Sequence, residues 1–553
     1  MIRSGRCVII LAQVLMAIAA GDLISRAQQA PSAEMRRGDE ARLERIPHGD
    51  LGNGYFRNPV LVGPGADNTV VRVGRDYYMA AGGGWPDQLI WHSQDLVNWE
   101  PLTRALRKFN GYAWASELTY YDGRFYLYTT QVDPDRGNIG PLNLSQRSLL
   151  GVPFKDHGDH AWENVVLWAK DPSGPWSDPI NIGVYGVFDP GHVVNQQGNH
   201  YLYFNKGMMI HLAPDGLSTV GDLKHVYDGW DYPEDWVVEC KCLEAPKLKY
   251  HDGYYYLFSA EGGTAGPTTA HMEIVARSKS VEGPWENSPY NPLVHTRSQD
   301  EKWWRQGHGT LIDDVNGEWW FMYTGYEHGY TVYGKQSLLL PVEWTTDGWP
   351  RILPGVAATD LLKKPPGENL AHGMPLSDDF SSSTVGIQWQ YAPDMNPSEY
   401  FRMGDGELVM KARGAIPGEA AILPQKATTL TVMPVNHEYE AEVEVSIPET
   451  AEGGIMLSPG PFGGTAWATI GLRKGETFAT WPGQANYISW SGTRIFVRLR
   501  NMKYDVSCFY SSDGQTWTPF ANSTHVTDGR RLSLYAAGEG TVVFRNFKYR
   551  GLD

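Results

Sequence analysis

The sequence predicts an all-β fold in two domains, on three observations. The chain has 553 residues, which is too long for one ordinary hydrophobic core. Its 21 Trp, 30 Tyr and 61 Gly suit short strands joined by tight turns, because aromatic side chains favour pleated surfaces and glycine reaches positive φ. One hairpin pattern occurs five times before residue 355, in a region with almost no helical periodicity.

Each copy of the pattern is a short apolar strand, a turn and an aromatic strand. The turns with their aromatic runs are residues 74–78, 123–127, 198–202, 253–257 and 317–321. These copies are spaced like the blades of a β-propeller, with longer insertions between some of them. Residues 55–355 therefore predict a five-bladed β-propeller.

A polar and mostly acidic residue stands shortly before each aromatic run. These residues are Asp67, Glu117, Asp189, Glu244 and His308. We predict that each begins the first and innermost strand of its blade, so that all five converge on one funnel at the end of the axis. A single acid before a strand is more often a turn residue, but five equivalent positions favour a shared site.

Gathered carboxylates without metal-ligand spacing suit the cleavage of glycosidic bonds. One acid protonates the leaving oxygen, and a second carboxylate handles water or the sugar. The acid needs a raised pKa, which burial or a neighbouring carboxylate supplies. Trp85, Trp114 and Trp230 are candidates for stacking on sugar faces, although ordinary blade packing explains each of them equally well.

Five ordered motifs resemble the blade motifs of glycoside hydrolase family 43. They are GADNTVVRVGRDYYM, AWASELTYYDGRFYLY, VFDPGHVV, LEAPKLKYHDGYYYL and GHGTLIDDVNGEWW. The resemblance implies an inverting mechanism with Asp67 as general base, Glu244 as general acid and Asp189 as the residue that tunes and orients the acid. It implies no required cofactor. It also places His308 near the axis, where some members hold a calcium ion that His308 would reach through water.

Three departures from the family pattern bear on the sugar more than on the reaction. Asn68 stands where the family usually has proline, and Glu117 where the second motif commonly has aspartate. Lys335 matches a position at which family xylosidases often have arginine, and an ammonium cannot reproduce a bidentate guanidinium contact. The side chains expected to contact the substrate are Trp85, Trp114, Glu117, His308 and Lys335.

A second domain is predicted after a Pro/Gly-rich linker, residues 356–375. Alternating strands such as YEAEVEVSI and TRIFVRLRN predict a β-sandwich over residues 376–553. Its opening LSDDFSSSTVGIQWQY and closing VVFRNFKYRGL resemble the concanavalin-like jelly-roll domain of family 43 xylosidases and arabinofuranosidases. That domain can lend a loop to the pocket wall in relatives, and an independent carbohydrate-binding module is the alternative.

The N-terminus predicts export. Arg3 and Arg6, the apolar run CVIILAQVLMAIAA and a small-residue cleavage site form a secretory signal, residues 1–27, before a lead-in of residues 28–54. We expect a secreted or periplasmic protein without membrane contact after cleavage, and an uncleaved anchor is the alternative. The net charge of −16 argues against nucleic acid, whereas a neutral oligosaccharide or polysaccharide suits it. The oligomeric state stays open.

The four cysteines predict three structural thiols in the mature chain, because Cys7 leaves with the signal. Cys240 and Cys242 stand two residues apart, on what we predict to be one face of a strand, which is poor geometry for a mutual disulfide. Cys508 is distant in sequence. Without matching His or Cys partners, the pattern argues against a zinc site.

These expectations lead to an exported, inverting, exo-acting glycoside hydrolase that removes terminal xylose or arabinofuranose from plant or algal oligosaccharides or polysaccharides. A galactosidase of the same family is one alternative. A retaining fructosidase is another, since family 32 also joins a propeller to a sandwich, but no Asn-Asp-Pro-Asn-Gly or Arg-Asp-Pro stretch occurs. A catalytically silent sugar-binding propeller is the third.

Overall fold

The computed structural model describes residues 46–63, 67–81, 88–106, 112–132, 162–392, 395–416, 427–458, 468–481, 483–526 and 531–553. The predicted signal and most of the lead-in lie outside these ranges. Within them, regular structure is β-strand apart from one short helix, α1 (Pro397–Tyr400), and two single-turn 3₁₀ segments. None of the described helices has the length and apolar character needed to cross a membrane.

Five antiparallel sheets follow one another along the chain after β1 (Tyr55–Phe56). Blade 1 is β2 (Thr69–Val73), β3 (Asp76–Ala81), β4 (Leu89–Ser93) and β5 (Glu100–Arg104). Blade 2 is β6 (Tyr112–Tyr121), β7 (Arg124–Val132), β8 (Trp162–Ala169) and β9 (Ile180–Tyr185). Blade 3 is β10 (Gly191–Val194), β11 (His200–Phe204), β12 (Met208–Leu212) and β13 (Thr219–His225). Blade 4 is β14 (Glu244–His251), β15 (Tyr254–Glu261), β16 (Met272–Ser278), β17 (Glu286–Asn287) and β18 (Val294–His295). Blade 5 is β19 (Trp303–Asp313), β20 (Trp319–Glu327), β21 (Lys335–Trp344) and β22 (Pro350–Ile352).

The first strands of the five blades form a ring. β2, β6, β10, β14 and β19 are neighbours in that order, and β19 lies beside β2 again. Two further contacts close the ring, because β1 pairs with β23 (Leu362–Lys363) and Leu61 bridges Ser337 of β21. The predicted all-β propeller is therefore confirmed, with the first strand of each blade innermost.

Turn chemistry and aromatic packing explain why the repeated pattern folds into blades. Asp252 and Gly253 have φ of 45° and 84°, as a two-residue hairpin turn between twisted strands requires. The aromatic strands that follow such turns fill the spaces between blades. Phe258 of blade 4 stacks on Phe321 of blade 5, with ring centroids 6.1 Å apart. Such rings bury a large apolar area and stabilise the contact between blades.

The prediction that all five polar residues begin a strand was wrong for two of them. Asp67 and Asp189 precede their strands and Glu244 is the first residue of β14. Glu117 lies inside β6 and His308 inside β19, in each case close to a shift in ladder register. A β-bulge lets an inner strand start earlier and still turn a residue out of the regular ladder.

The second domain is a sandwich of a seven-stranded and a six-stranded antiparallel sheet. The first contains β24 (Phe401–Gly404), β25 (Glu407–Lys411), β36 (Thr541–Gly551), β27 (Glu438–Ser446), β32 (Arg494–Met502), β33 (Asp505–Ser511) and β34 (Thr518–His525). The second contains β26 (Thr428–Val432), β35 (Arg531–Gly538), β28 (Ala451–Ser458), β29 (Ala468–Arg473), β30 (Glu476–Trp481) and β31 (Gln484–Ser489). Inward-facing residues of both sheets form one apolar core, which includes Val443 and Ile455. The predicted β-sandwich is therefore confirmed.

The prediction of three free thiols was wrong, because Cys240 and Cys242 form a disulfide. Both residues lie in the loop before β14 and not in a strand. Their Cα atoms are 5.1 Å apart, closer than the roughly 6.6 Å that two residues span in a strand. Cys508 is free and buried, as predicted, whereas Cys7 lies outside the described residues.

The sandwich packs against blade 5 beside the axis. The ring of Tyr330 stacks on His437 with centroids 3.6 Å apart, and His437 Nε2 lies 3.0 Å from a Glu327 carboxylate oxygen. Asn501 donates a hydrogen bond to the Tyr333 hydroxyl at 3.3 Å. The blade 5 segment that makes these contacts leads directly into β21, whose first residue is Lys335.

Candidate active site

Asp67 is held at the axis by a cation from blade 5, which is distant in sequence and adjacent in the ring. Lys335 Nζ donates to Asp67 Oδ1, and His308 Nδ1 lies 3.4 Å from the same oxygen. Burial alone would raise the pKa of Asp67, but the Lys335 ammonium and then His308 outweigh burial and hold this pKa well below its usual range. The lowered pKa favours an ionised Asp67, as a general base requires.

The departure at Asn68 belongs to the same seam between blades 1 and 5. Asn68 is fully buried, and its Nδ2 donates to the Ser337 hydroxyl at 3.0 Å. Lys335 and Ser337 are alternate residues of β21, so they lie on one face of that strand. Two successive residues of blade 1 thus bind two alternate residues of blade 5. A proline at position 68 would lack the amide group that makes the second contact.

Glu244 and Asp189 form the second part of the site. The Glu244 side chain is 15 % exposed, and burial followed by the charge of Asp189 raises its pKa. Burial and then the charge of Asp67 raise the pKa of Asp189. Asp189 Oδ2 also accepts a hydrogen bond from the Ala245 backbone N–H at 3.2 Å, which ties it to the start of the strand that carries Glu244. A raised pKa favours a protonated Glu244, as a general acid requires.

The backbone at the funnel is in the left-handed region at four non-glycine positions. The φ angles are 50° at Asp67, 56° at Asp189, 53° at Ala245 and 55° at His308. Such conformations cost on the order of 1–3 kcal/mol each and are concentrated at functional sites. The strain persists because the packed inner strands determine the chain path on both sides. Three of the four positions, Asp67, Asp189 and His308, carry polar side chains, and the fourth, Ala245, directly follows Glu244.

Blades 3 and 4 approach each other closely where Asp189 and Glu244 meet. A Cβ on Gly191 would lie 1.9 Å from the Pro246 carbonyl oxygen. No side chain fits in that gap, so glycine is required at position 191 for the two inner strands to come together. A substitution there would separate the two carboxyl groups.

The structure adds a residue that sequence reasoning missed. His271 is fully buried, and its Nδ1 lies 3.8 Å from Glu244 Oε1. Burial, and after it the Lys335 charge, lowers the pKa of His271 well below its usual value, so the imidazole is neutral. A Cβ on Gly307 would lie 2.7 Å from this ring, so Gly307 makes room for it. His271 immediately precedes the third strand of its blade, outside the five motifs, and no repeat signal marks it.

Of the three predicted aromatic residues, one lies beside the funnel. Trp114 is half-buried and packs edge-on against Phe188, the residue before Asp189, with centroids 5.2 Å apart. It therefore lies beside the funnel. Trp230 is half-buried and packs edge-on against Trp236. Trp85 lies outside the described residues.

Glu117 is bound by groups of two other blades. Its carboxylate is in an ion pair with Lys247 Nζ at 2.7 Å and accepts a hydrogen bond from the Thr69 hydroxyl at 3.0 Å. Both contacts are made to the same oxygen, Oε2, so Glu117 is the ion-pair partner of Lys247. The expected contact between Glu117 and substrate stays a prediction.

Comparison with known proteins places this geometry in a family. The model of Glycosyl hydrolases family 43 matches residues 56–350. The chain is 29 % identical over 381 residues to a non-reducing end α-L-arabinofuranosidase, BoGH43B, of Bacteroides ovatus, covering 63 % of this chain and 62 % of that protein. It is 30 % identical over 378 residues to a xylan 1,3-β-xylosidase of a Vibrio species, covering 60 % and 64 %.

The chain therefore spans less than two-thirds of the length of these two relatives. A crystal structure of xylan β-1,4-xylosidase from Bacillus halodurans C-125 has a similar fold, with a TM-score of 0.72 and 22 % identity, covering 89 % of this chain and 99 % of that one. The family model covers more than half of the chain, including all five blades. This protein belongs to glycosyl hydrolase family 43.

Proposed function

We propose that this protein is an inverting, exo-acting glycoside hydrolase that releases terminal xylose or arabinofuranose. One observation carries the proposal: two carboxyl groups in one funnel have pKa values shifted in opposite directions, downward at Asp67 and upward at Glu244. General acid and base catalysis needs one group ionised and the other protonated at the same pH. The opposite shifts support Asp67 as the base and Glu244 as the acid.

The proposed reaction is a single displacement at the anomeric carbon. Asp67 takes a proton from a water molecule as that water attacks, while Glu244 gives its proton to the departing glycosidic oxygen. Water enters on the face opposite the leaving group, so the configuration inverts. Asp189 keeps the proton on Glu244 through its negative charge, and its bond to the Ala245 N–H holds the strand start that carries the acid.

The choice of sugar rests on the relatives, whose names are arabinofuranosidase and xylosidase. Lys335 supports a difference from arginine-containing xylosidases, because its ammonium is engaged by Asp67 and offers no planar fork to a sugar. The predicted signal, residues 1–27, supports export, and an exported enzyme of this kind acts on plant or algal oligosaccharides.

The test is to incubate the purified protein with aryl β-xyloside, aryl α-L-arabinofuranoside and branched oligosaccharides, and to follow the first-formed anomer by NMR. We expect terminal sugar release with inversion, and strongly reduced release from the branched oligosaccharides by Asp67→Asn or Glu244→Gln of unchanged circular dichroism. Retention of configuration, internal cleavage or full activity of either variant would contradict the proposal. Saturable glycan binding without turnover would identify a sugar-binding propeller instead.

A further inference from the structure

Lys247 lies at the propeller axis, where the inner ends of four blades meet. Its side chain is 5 % exposed. From blade 4, Nζ donates to Glu117 Oε2 at 2.7 Å and Ser116 O at 2.9 Å in blade 2, and to Pro190 O at 3.4 Å beside blade 3. Thr69 of blade 1 donates to the same Glu117 oxygen at 3.0 Å. One ammonium and one carboxylate thus connect four blades.

The groups around the Lys247 ammonium are those of a cation site. Two backbone carbonyl oxygens and one carboxylate oxygen are the hard oxygen ligands that a calcium ion also prefers. All three already face a positive charge that is part of the chain. A divalent cation brought beside this ammonium would meet a like charge in a buried and poorly screened position.

The calcium ion implied by the family resemblance does not fit the residues around His308. The imidazole Nδ1 faces Asp67 at 3.4 Å, and Lys335 already neutralises that carboxylate. Burial lowers the pKa of His308 to about 3, and the charges of both Lys335 and Lys247 act in the same direction. Two fixed cations therefore act against a further positive charge at the imidazole. In the described ranges, no group of three or more His, Cys, Asp or Glu residues is arranged to hold a metal.

We infer that the Lys247 ammonium is the axial cation of this propeller and that it takes the structural place a bound metal ion would have. It binds the carbonyl oxygen of Pro190, the residue directly after Asp189, and it is itself anchored three residues after Glu244. Lys247 is therefore a positioning residue for both carboxyl groups. The role of Lys247 in positioning the two carboxyl groups rests on the proposed function. Its role as the axial cation in place of a metal ion does not.

The charge of Lys247 has a consequence that a purely structural role would not have. Among the influences on Asp189, burial and Asp67 raise its pKa, whereas Lys247, followed by Lys335 and the Ala245 N–H, lowers it. Loss of the ammonium would protonate Asp189 over a wider pH range. A neutral Asp189 would no longer raise the pKa of Glu244. The alkaline limb of kcat/KM, which reports ionisation of the general acid, would then move to lower pH.

The first test uses the wild-type chain and needs no turnover. The purified protein is analysed for metal by mass spectrometry, and its melting temperature is measured with excess calcium chloride and with a chelator. We expect substoichiometric calcium and the same melting temperature in both solutions. One retained equivalent of calcium, with a lower melting temperature after chelation, would overturn the inference. Failure of the proposed enzyme activity would leave this result unaffected.

The second test removes the charge. Lys247→Met keeps most of the apolar stem, and we expect kcat/KM to fall by about 10²-fold, with the alkaline limb at lower pH. Glu117→Gln is the matched variant and covers the case in which Lys247→Met does not fold. Removing the anion leaves the ammonium acting more strongly on Asp189, so the limb is expected at higher pH. An alkaline limb that stays at the wild-type pH in both variants would contradict the role of Lys247.

Discussion

The propeller and the sandwich both bury ion pairs, but they place them differently. In the sandwich, Glu440 and Glu442 of β27 lie in register between cations of the two neighbouring strands, so the pairs run across one sheet. In the propeller, the pairs formed by Lys335 and Lys247 join different blades at the axis. The first arrangement stiffens a surface. The second holds several blades together and sets which carboxyl groups in the funnel carry a proton.

Both domains contain non-glycine residues with positive φ. Some stand in tight hairpin turns, such as Asp252 in the propeller and Asp405 and Lys503 in the sandwich, and Asn546 of the sandwich lies inside β36. In the propeller, Asp67, Asp189 and His308 adopt a positive φ at the inner ends of blades, outside any hairpin turn. At the propeller axis, strained backbone positions lie beside carboxyl groups whose pKa values are shifted in opposite directions. In the sandwich, the charged residues of β27 form regular cross-strand pairs.

The largest expected effect comes from Glu244→Gln at the axis. Without the acid, kcat on natural oligosaccharides should fall by roughly 10²–10⁴-fold. The phenolate of an aryl glycoside with a strongly acidic phenol leaves without protonation, so the rate of hydrolysis of that substrate should fall much less. Asp67→Asn, the matched variant, should lose activity on both substrates because water activation is needed in each case. Equal losses of Glu244→Gln on both substrates would contradict its assignment as the acid.

The next effect concerns the cation beside the base. Lys335→Met removes the charge that holds the pKa of Asp67 down, so that pKa rises. A base must be ionised, and the acid limb of kcat/KM should therefore move to higher pH. The folded state also loses the stabilisation that an ionised, paired Asp67 supplies above its unfolded pKa.

Lys335→Arg is the control for this experiment, because it keeps the charge. We expect its acid limb to stay at the wild-type pH, and any change to appear in KM. The limb is read from rates measured over a pH series with one substrate. An acid limb of Lys335→Met that coincides with the wild type would show that Lys335 does not set the pKa of the base.

Much of this architecture could be predicted from the sequence, because local rules determine it. Turns such as Asp252–Gly253 and aromatic runs of period two specify hairpins, and five hairpins in series close a ring. Once the inner strands share one axis, residues at their ends must come together. That geometry explains why Asp67, Asp189 and Glu244 were predicted together from spacing alone.

The contacts that cross between blades could not be predicted in this way. The ion pair of Lys247 with Glu117 joins residues far apart in sequence, and neither residue carries a local signal of the other. His271 lies before a third strand, where the pattern shows only an ordinary apolar run. The disulfide of Cys240 was missed because its loop was assigned to a strand, and extended geometry would have kept the two cysteines apart.

A smaller effect is expected from buried carboxyl groups, one in each domain, whose protonation makes stability depend on pH. Burial raises the pKa of Glu452 in the sandwich and of Glu261 in the propeller to about 7. A raised pKa supplies stability that is fully present below the ordinary value and is lost as the pH rises through about 7. One pKa unit corresponds to about 1.4 kcal/mol of unfolding free energy. Unfolding in urea at several pH values should therefore show stability falling between weakly acidic and neutral pH.

Glu452→Gln distinguishes the contribution of the sandwich from that of the propeller in that experiment. A glutamine keeps an acceptor for the Tyr535 hydroxyl, which lies 2.9 Å from the carboxylate, and it cannot ionise. The variant should lose part of the pH dependence of stability while its pH–rate profile stays that of the wild type. A shifted pH–rate profile would show that the sandwich influences the funnel, and the contrast drawn between the two domains would fail.

The smallest effect is expected from Glu442→Gln on the seven-stranded sheet of the sandwich. Arg498 donates two hydrogen bonds to Glu442, at 2.6 and 3.0 Å, and Lys548 lies 3.7 Å away on the other side. Cross-strand pairs of this kind contribute about 0.2–1 kcal/mol, so the unfolding free energy should change by no more than that. Added salt should shrink the difference from the wild type, because salt screens pairs near the surface. A loss of several kcal/mol that persists in salt would mean that the sandwich ladder depends on its charges as strongly as the axis does.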